Sequence, residues 1–277
     1  MQYWKRLTLL AGLLLALAPT LAAPPVKPPA LLKLTITGSS TMAPVVSDLA
    51  QRFSAQHPEV KIEVQMGGSG RGISDVREGK ARIGMVSRAL KPDEQDLFAF
   101  AIARDGVALV VHRDNPVRAV TRAQLADIFS STITNWKALG GADAPVVLIS
   151  RTPGRGSLES ITTYTGIQEE KIKSAMLAGE NTEALNALLA NRNALTFFSL
   201  GMAERAVAQG SAIRLLALNG IPANASTLQD GSYPLTHPLH LVTRDLPRGG
   251  IKEFISFVLS SQALSTIEQH DFVPYLN

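Results

Sequence analysis

Val60-Lys61-Ile62-Glu63-Val64-Gln65-Met66 runs directly into Gly67-Gly68-Ser69-Gly70-Arg71-Gly72, and Ile73-Ser74-Asp75-Val76-Arg77 follows. In the first seven residues Val60, Ile62 and Val64 alternate with Lys61, Glu63 and Gln65, the period of two that predicts a half-buried strand. Ile73 to Arg77 reads as a helical start. A glycine-rich turn between strand and helix leaves backbone N–H groups free at the helix N-terminus, where the helix dipole favours an anion. Glycines let that anion approach the backbone closely, and Ser69 adds a hydroxyl donor. Taken alone, such a loop reads first as a structural turn.

The pattern occurs twice more. Leu34 to Thr37 predicts a strand, followed by Gly38-Ser39-Ser40-Thr41-Met42-Ala43-Pro44 and a helix from Ala43 to Gln56. Val146 to Ser150 predicts another, followed by Arg151-Thr152-Pro153-Gly154-Arg155-Gly156-Ser157 and a helix from Ser157 to Thr165. Three such junctions, each rich in hydroxyls and glycine, suit convergence on one oxyanion. None holds a cysteine or histidine, so neither a metal site nor a Cys/His dyad is expected there.

The 277 residues admit one or two domains, and a hydrophobic content of 45% supports a sizeable core. Lys5 and Arg6 precede the apolar run Leu7 to Ala18, and Ala22-Ala23 ends it. Residues 1–23 therefore read as a cleavable signal peptide, with an uncleaved anchor as the alternative. The run is too short to span a bilayer comfortably. Residues 24–31, which include Pro24-Pro25-Val26-Lys27-Pro28-Pro29, read as a stiff spacer. Removing residues 1–23 takes away two Lys/Arg and no Asp/Glu, so the formal charge falls from +4 to +2. With no basic stripe carrying interleaved aromatics, a nucleic-acid partner is not expected. Cysteine is absent, which excludes disulfides and a lipid-anchored cysteine. Export to a bacterial periplasm fits these features.

From Leu32 onward strands and helices alternate, which argues an α/β fold with largely parallel sheets. Phe98 to Ala103 and Gly106 to Val111 read as two buried strands. Thr121 and Gln124 form a capping box for a helix to Ser130. The chain is expected to leave one lobe near residue 113 and return near 235. Residues 32–113 plus 235–277 then form lobe 1, and residues 114–234 form lobe 2. Each lobe is expected to be a mostly parallel sheet flanked by helices. Two crossovers join the lobes, with the anion loops at the carboxyl ends of strands, where ligands bind in such sheets.

Several stretches carry a resemblance to a known family. They are Ile36 to Pro44, Gly67 to Ile73, Ile83-Gly84-Met85-Val86-Ser87-Arg88, Leu125 to Phe129, Ile133-Thr134-Asn135-Trp136 and Asp230 to Leu235. Through them the chain resembles the periplasmic phosphate-binding proteins of bacterial ABC transporters, over nearly all of the exported part. The resemblance implies a two-lobed receptor of the type II periplasmic-binding-protein fold that closes on inorganic phosphate. It implies the membrane subunits of an ABC transporter as partner and a monomeric state. A hydrolase is the enzyme alternative, but Ser69 and Ser157 have no histidine placed nearby in sequence to serve as base, so no enzymatic activity, catalytic residue, cofactor or metal is expected.

By resemblance, Thr41 and the Met42 amide contact the anion from the first loop, with Ser40 as a further donor. Ser69 serves from the second loop. Arg151 pairs with phosphate, and Gly156 and Ser157 are donors of the third loop. Two positions depart from the family pattern. Arg155 replaces a small hydroxyl donor and either adds a second cation or swings out. Ser87 stands where some members have a carboxylate that repels fully ionised sulfate, so discrimination by repulsion is expected to weaken.

The plainer readings stand beside these. Arg151 at a strand end is also placed for a surface ion pair. Arg71 is either a ligand or solvated, and Arg88 either binds the anion or caps a lobe interface. His237 and His240 lack further metal ligands nearby, while Trp136 and Asn135 read as structural. The altered third loop motivates a second class of function: an adhesion, secretion-linked or sensory module on the same fold.

Overall fold

The computed structural model describes residues 31–275; the expected signal peptide, and the spacer as far as residue 30, lie outside them. In chain order come β1 (Leu32–Gly38), α1 (Ala43–Gln56), β2 (Val60–Met66), α2 (Ser69–Arg77), β3 (Ile83–Val86) and the long β4 (Phe98–His112). Next are β5 (Ala119–Val120), α3 (Arg122–Phe129), β6 (Val147–Arg151), α4 (Gly156–Thr165), β7 (Met176–Ala178) and α5 (Asn181–Leu189). They are followed by β8 (Ala194–Ser199), α6 (Leu200–Ala208), β9 (Ile213–Leu215), β10 (Ala217–Leu218) and α7 (Ala225–Gln229). The described chain closes with β11 (Thr236–Thr243), α8 (Gly249–Val258), α9 (Ser261–Gln269) and β12 (Val273–Pro274).

Local signals place several of these elements. Pro44 sits in the first turn of α1, where its missing N–H costs nothing. Thr121 caps α3, and Gln124 reaches back to the Thr121 amide at 2.8 Å. The second loop differs from expectation. Gly68, at φ +90°, is the N-cap, so α2 already starts at Ser69 and takes in part of the glycine stretch. Positive φ is easy only for glycine, and it turns the chain earlier than hydrophobic periodicity reveals.

One path of hydrogen-bonded strands runs β2-β1-β3-β11-β4-β8-β6-β7. β1 is parallel to β2 and β3, and β6 is parallel to β7 and β8. β11 is antiparallel to β3 and β4, and β4 is antiparallel to β8. The sheets are therefore mixed rather than mostly parallel. β11 returns directly beside β4, and antiparallel neighbours need no helical crossover.

The two strands expected between Phe98 and Val111 are one. β4 pairs with β11 over Phe98–Gly106 and with β8 over Val107–Val111. Asp105 does not break it, because the buried carboxylate accepts from the Gly106 amide at 2.7 Å.

Two principal cores flank this strand. One holds Leu34, Phe53, Ala103, Leu239 and Phe254; the other holds Val107, Phe129, Trp136, Phe197 and Leu235. Val107 to Val111, which a boundary at 113 gives to lobe 1, pack into the second core. We therefore place the crossovers at Gly106–Val107 and Leu235–Thr236. Among the described residues, no helix is long and apolar enough to cross a membrane.

Candidate anion-binding site

The amino-terminal ends of α1, α2, α4 and α5 meet between the lobes around a narrow cleft of about 10 Å³. That is room for about one water, far below the 300–1,000 Å³ typical of drug-sized ligands, so the lobes are nearly closed on one another here. Ser39, Ser40 and Thr41 line it ahead of α1, with Gly68 and Ser69 at the start of α2. Ser87 follows β3, and Arg151 ends β6. Arg155, Gly156 and Ser157 open α4, and Asn181 opens α5. No acidic residue lines the cleft.

Three serines form its floor. Ser39 Oγ donates to Ser87 Oγ at 2.8 Å, and the Ser87 amide donates to Ser69 Oγ at 3.0 Å. Ser69 Oγ lies 3.3 Å from Ser87 Oγ. Hydroxyls rotate, so each can turn a donor toward an oxyanion. Met42 does not line the cleft. Its side chain is buried, and its amide is directed at Ser39 Oγ, 3.4 Å away. The chain is already helical in conformation at this N-cap, which folds the amide back over the loop.

Arg151 is only 2% exposed. Its Nη1 donates to Asn181 Oδ1 at 2.9 Å and its Nη2 to the Gly179 carbonyl at 3.0 Å. Its Nε is buried without a partner, and no carboxylate lies within ion-pair distance among the described residues. Burial, with a smaller contribution from the nearby charge of Arg155, lowers its pKa to about 10 against the opposing effect of Glu180 and Glu183. The guanidinium stays charged at neutral pH, and a depression of this size corresponds to roughly 3 kcal/mol of uncompensated burial.

Arg155 lines the cleft but is not a free second cation. It pairs with Glu180 at 3.0 Å and donates to Ser40 Oγ at 2.6 Å, joining the two lobes. Gly156 is required by close approach. A Cβ there would lie 2.4 Å from the Ser87 carbonyl and 2.9 Å from Ser69 Oγ. The Gly70 amide donates to the Gly154 carbonyl at 3.1 Å, a further link across the cleft.

Ser40, Thr41, Ser69, Ser87, Arg151, Arg155, Gly156 and Ser157 are thus brought together. Ser39, Gly68 and Asn181 were not anticipated as site residues. Asn181 carries the same signal as the others, a strand–turn–helix junction with Gly179-Glu180 before α5.

Other candidates fall elsewhere. Arg71 pairs with Asp75 and caps the Met66 carbonyl on an exposed face. Arg88 is held by Glu94 and Glu159. Trp136 is buried, its indole donating to the Asn193 carbonyl at 2.9 Å, and Asn135 caps the following turn. His237 and His240 join no metal-binding group of His, Cys, Asp or Glu among the described residues.

An α/β molecule of two lobes, with helix N-termini and a buried cation facing one small cleft, is built as a binding receptor. Residues 23–262 match the PBP superfamily domain, and the chain belongs to that family. A Clostridium perfringens protein described as a phosphate ABC transporter substrate-binding protein, solved with phosphate bound, is 31% identical. The match covers 87% of this chain and 99% of that one, with a TM-score of 0.80. An ABC-type phosphate transport receptor from Vibrio cholerae is 29% identical over 87% and 99% of the two chains, with a TM-score of 0.74. The phosphate-binding protein PstS of Bacillus subtilis is 29% identical over 238 residues, 84% of this chain and 77% of its own length.

Proposed function

We propose that this chain is an exported substrate-binding protein that captures inorganic phosphate between its lobes and delivers it to the membrane subunits of an ABC transporter. One observation carries the reading: a buried Arg151 with no carboxylate partner, facing a cleft lined by hydroxyl, amide and guanidinium donors. A phosphate oxyanion supplies the missing counter-charge. A guanidinium offers it two parallel N–H donors, the strongest geometry for a tetrahedral anion. The serines and the amides opening α2 and α4 complete the shell. The names of the relatives support the same assignment.

Donors come from both lobes, so the anion binds the closed form better and shifts the population toward it. The protein works as a monomer and releases phosphate unchanged. Isothermal titration with phosphate and sulfate tests the reading, and a folded protein that binds neither ends it. Ser87 carries no charge, so sulfate is expected to bind more weakly than phosphate yet measurably. Ser87→Asp is expected to remove sulfate binding while keeping phosphate, because a fixed carboxylate repels an anion that has no proton to donate. Unchanged selectivity in that variant places the discriminating group elsewhere.

A further inference from the structure

Beside the anion cleft lies a second chamber of about 370 Å³. The two spaces share a wall, since Ser40, Thr41 and Asn181 line both. Beyond that wall the chamber is largely apolar, with Pro44 from α1, Met66 from the end of β2, Met202 from α6, and Phe272. The partition is thin. Asn181, from one lobe, donates to Thr41 Oγ1, from the other, at 3.4 Å. That is a long contact near the limit of a useful hydrogen bond. Turning the Asn181 amide, or a slight opening of the lobes, joins the two spaces.

A second observation concerns the cleft itself. A receptor that insists on the P–OH proton of inorganic phosphate must present an acceptor that cannot donate. No carboxylate lines this cleft, and each side chain that does line it, glycine apart, can donate a hydrogen bond. A ligand in which carbon or an ester oxygen replaces one P–OH therefore loses no obligatory contact. The charges at the chamber rim favour an uncharged substituent. Arg205 is already paired with Asp271 at 2.6 Å, and Glu180 with Arg155 at 3.0 Å.

We propose that the site also accepts organic phosphoryl anions, R–PO₃, meaning phosphonates and phosphate monoesters with a short uncharged R group. The PO₃ group sits on Arg151, and R passes the Thr41–Asn181 partition into the chamber of Pro44, Met202 and Phe272. The inference rests on the reading of the cleft as an oxyanion site.

Calorimetric titration of the purified protein with inorganic phosphate and with phenylphosphonate, separately and in competition, tests it. Phenylphosphonate is expected to displace phosphate with an affinity within about tenfold of it. Met202→Trp fills the chamber from outside the anion cleft. It is expected to weaken phenylphosphonate by about tenfold or more and phosphate by less than about twofold. Phosphate binding that about a hundredfold excess of phenylphosphonate fails to displace overturns the inference and leaves the phosphate reading standing. Binding of neither anion overturns both. An equal loss of both ligands in Met202→Trp overturns the placement of R. The competition on the parent protein decides the matter even if the variant does not fold.

Discussion

Two arginines lie buried between the lobes, and they are balanced in opposite ways. Arg88, 4% exposed, is gripped by Glu94 through two hydrogen bonds of 2.6 and 2.8 Å. It also pairs with Glu159, which Lys91 reaches at 3.1 Å. Burial pushes the Glu94 carboxyl up, but the Arg88 and Lys91 hydrogen bonds outweigh it and hold the group below its ordinary value. Arg151, 2% exposed, has only amide and carbonyl oxygens as partners. The first charge is neutralised within the chain. The second has no counter-charge among the described residues. Burial alone does not separate the two arginines; the absence of a carboxylate does. Glu159 lies on α4, the helix whose first residues face the cleft, so the Arg88 cluster fastens the lobes together beside the cleft.

The largest expected effect falls on stability at Arg88. Arg88→Met leaves Glu94 buried without its cation and Glu159 with Lys91 alone, a loss of roughly 3–5 kcal/mol. The denaturation midpoint is expected to fall with or without phosphate. Arg151→Met should do the reverse. Affinity for phosphate drops by about 30-fold or more, equivalent to roughly 2–5 kcal/mol. Stability in phosphate-free buffer is expected to hold or rise, because an uncompensated buried charge is gone. The parent gains about 2.7 kcal/mol at a phosphate concentration a hundredfold above its Kd, and the variant gains about 0.9 kcal/mol or less under the same conditions. If Arg151→Met unfolds the apo protein as Arg88→Met does, the contrast between the two arginines fails.

The crossover shows a third response to burial, in which a proton takes the place of a counter-ion. Asp105 and His237 stand opposite each other in the β4–β11 register. Burial raises the Asp105 carboxyl from 3.8 to about 7, against hydrogen bonds from Ser199, Gly106 and Gly201, and the Asp271 charge adds to the rise. Between about 4 and 7 the folded state therefore holds a proton that the unfolded state has lost, and stability falls as pH rises. Burial lowers His237 from 6.5 to about 4. Between about 4 and 6.5 the unfolded state binds the extra proton, and stability rises with pH. The two slopes oppose each other over nearly the same window. Urea midpoints at pH 4.5 and 6.5 are expected to differ little in the parent. Asp105→Asn should expose a gain toward pH 6.5, and His237→Gln a loss, each about 2 kcal/mol. Parallel slopes in both variants rule out the compensation.

The smallest effect tests closure alone. In Gly156→Ala the added Cβ meets Ser87 across the cleft, so the lobes cannot approach fully. Phosphate affinity is expected to fall about tenfold with stability unchanged. Small-angle scattering should show the radius of gyration contracting on phosphate binding in the parent and not in the variant. Equal contraction in both shows that closure tolerates the methyl group.

Much of the site was legible because its grammar is local. Gly38 to Pro44, Gly67 to Gly72 and Arg151 to Ser157 each announce a helix N-terminus within a few residues. Asn181 was missed although Gly179-Glu180 marks a junction of the same kind, because its place beside Thr41 is set by a contact 140 residues away. The single β4 was misread because Arg104-Asp105 looks like a break. Only the amides around the buried carboxylate make it strand.

The sequence by itself determined the alternation of strands and helices and the three hydroxyl-rich junctions, since periodicity, caps and glycine turns act over one or two turns of chain. The tertiary structure decided which charges are answered. Arg88, Arg151 and Arg155 look alike in the sequence. Glu94 and Glu159 neutralise the first, Glu180 occupies the third, and Arg151 is left as the uncompensated cation of the cleft. That outcome depends on lobes meeting across the cleft, because an ion pair is fixed by distance and burial in space rather than by spacing along the chain.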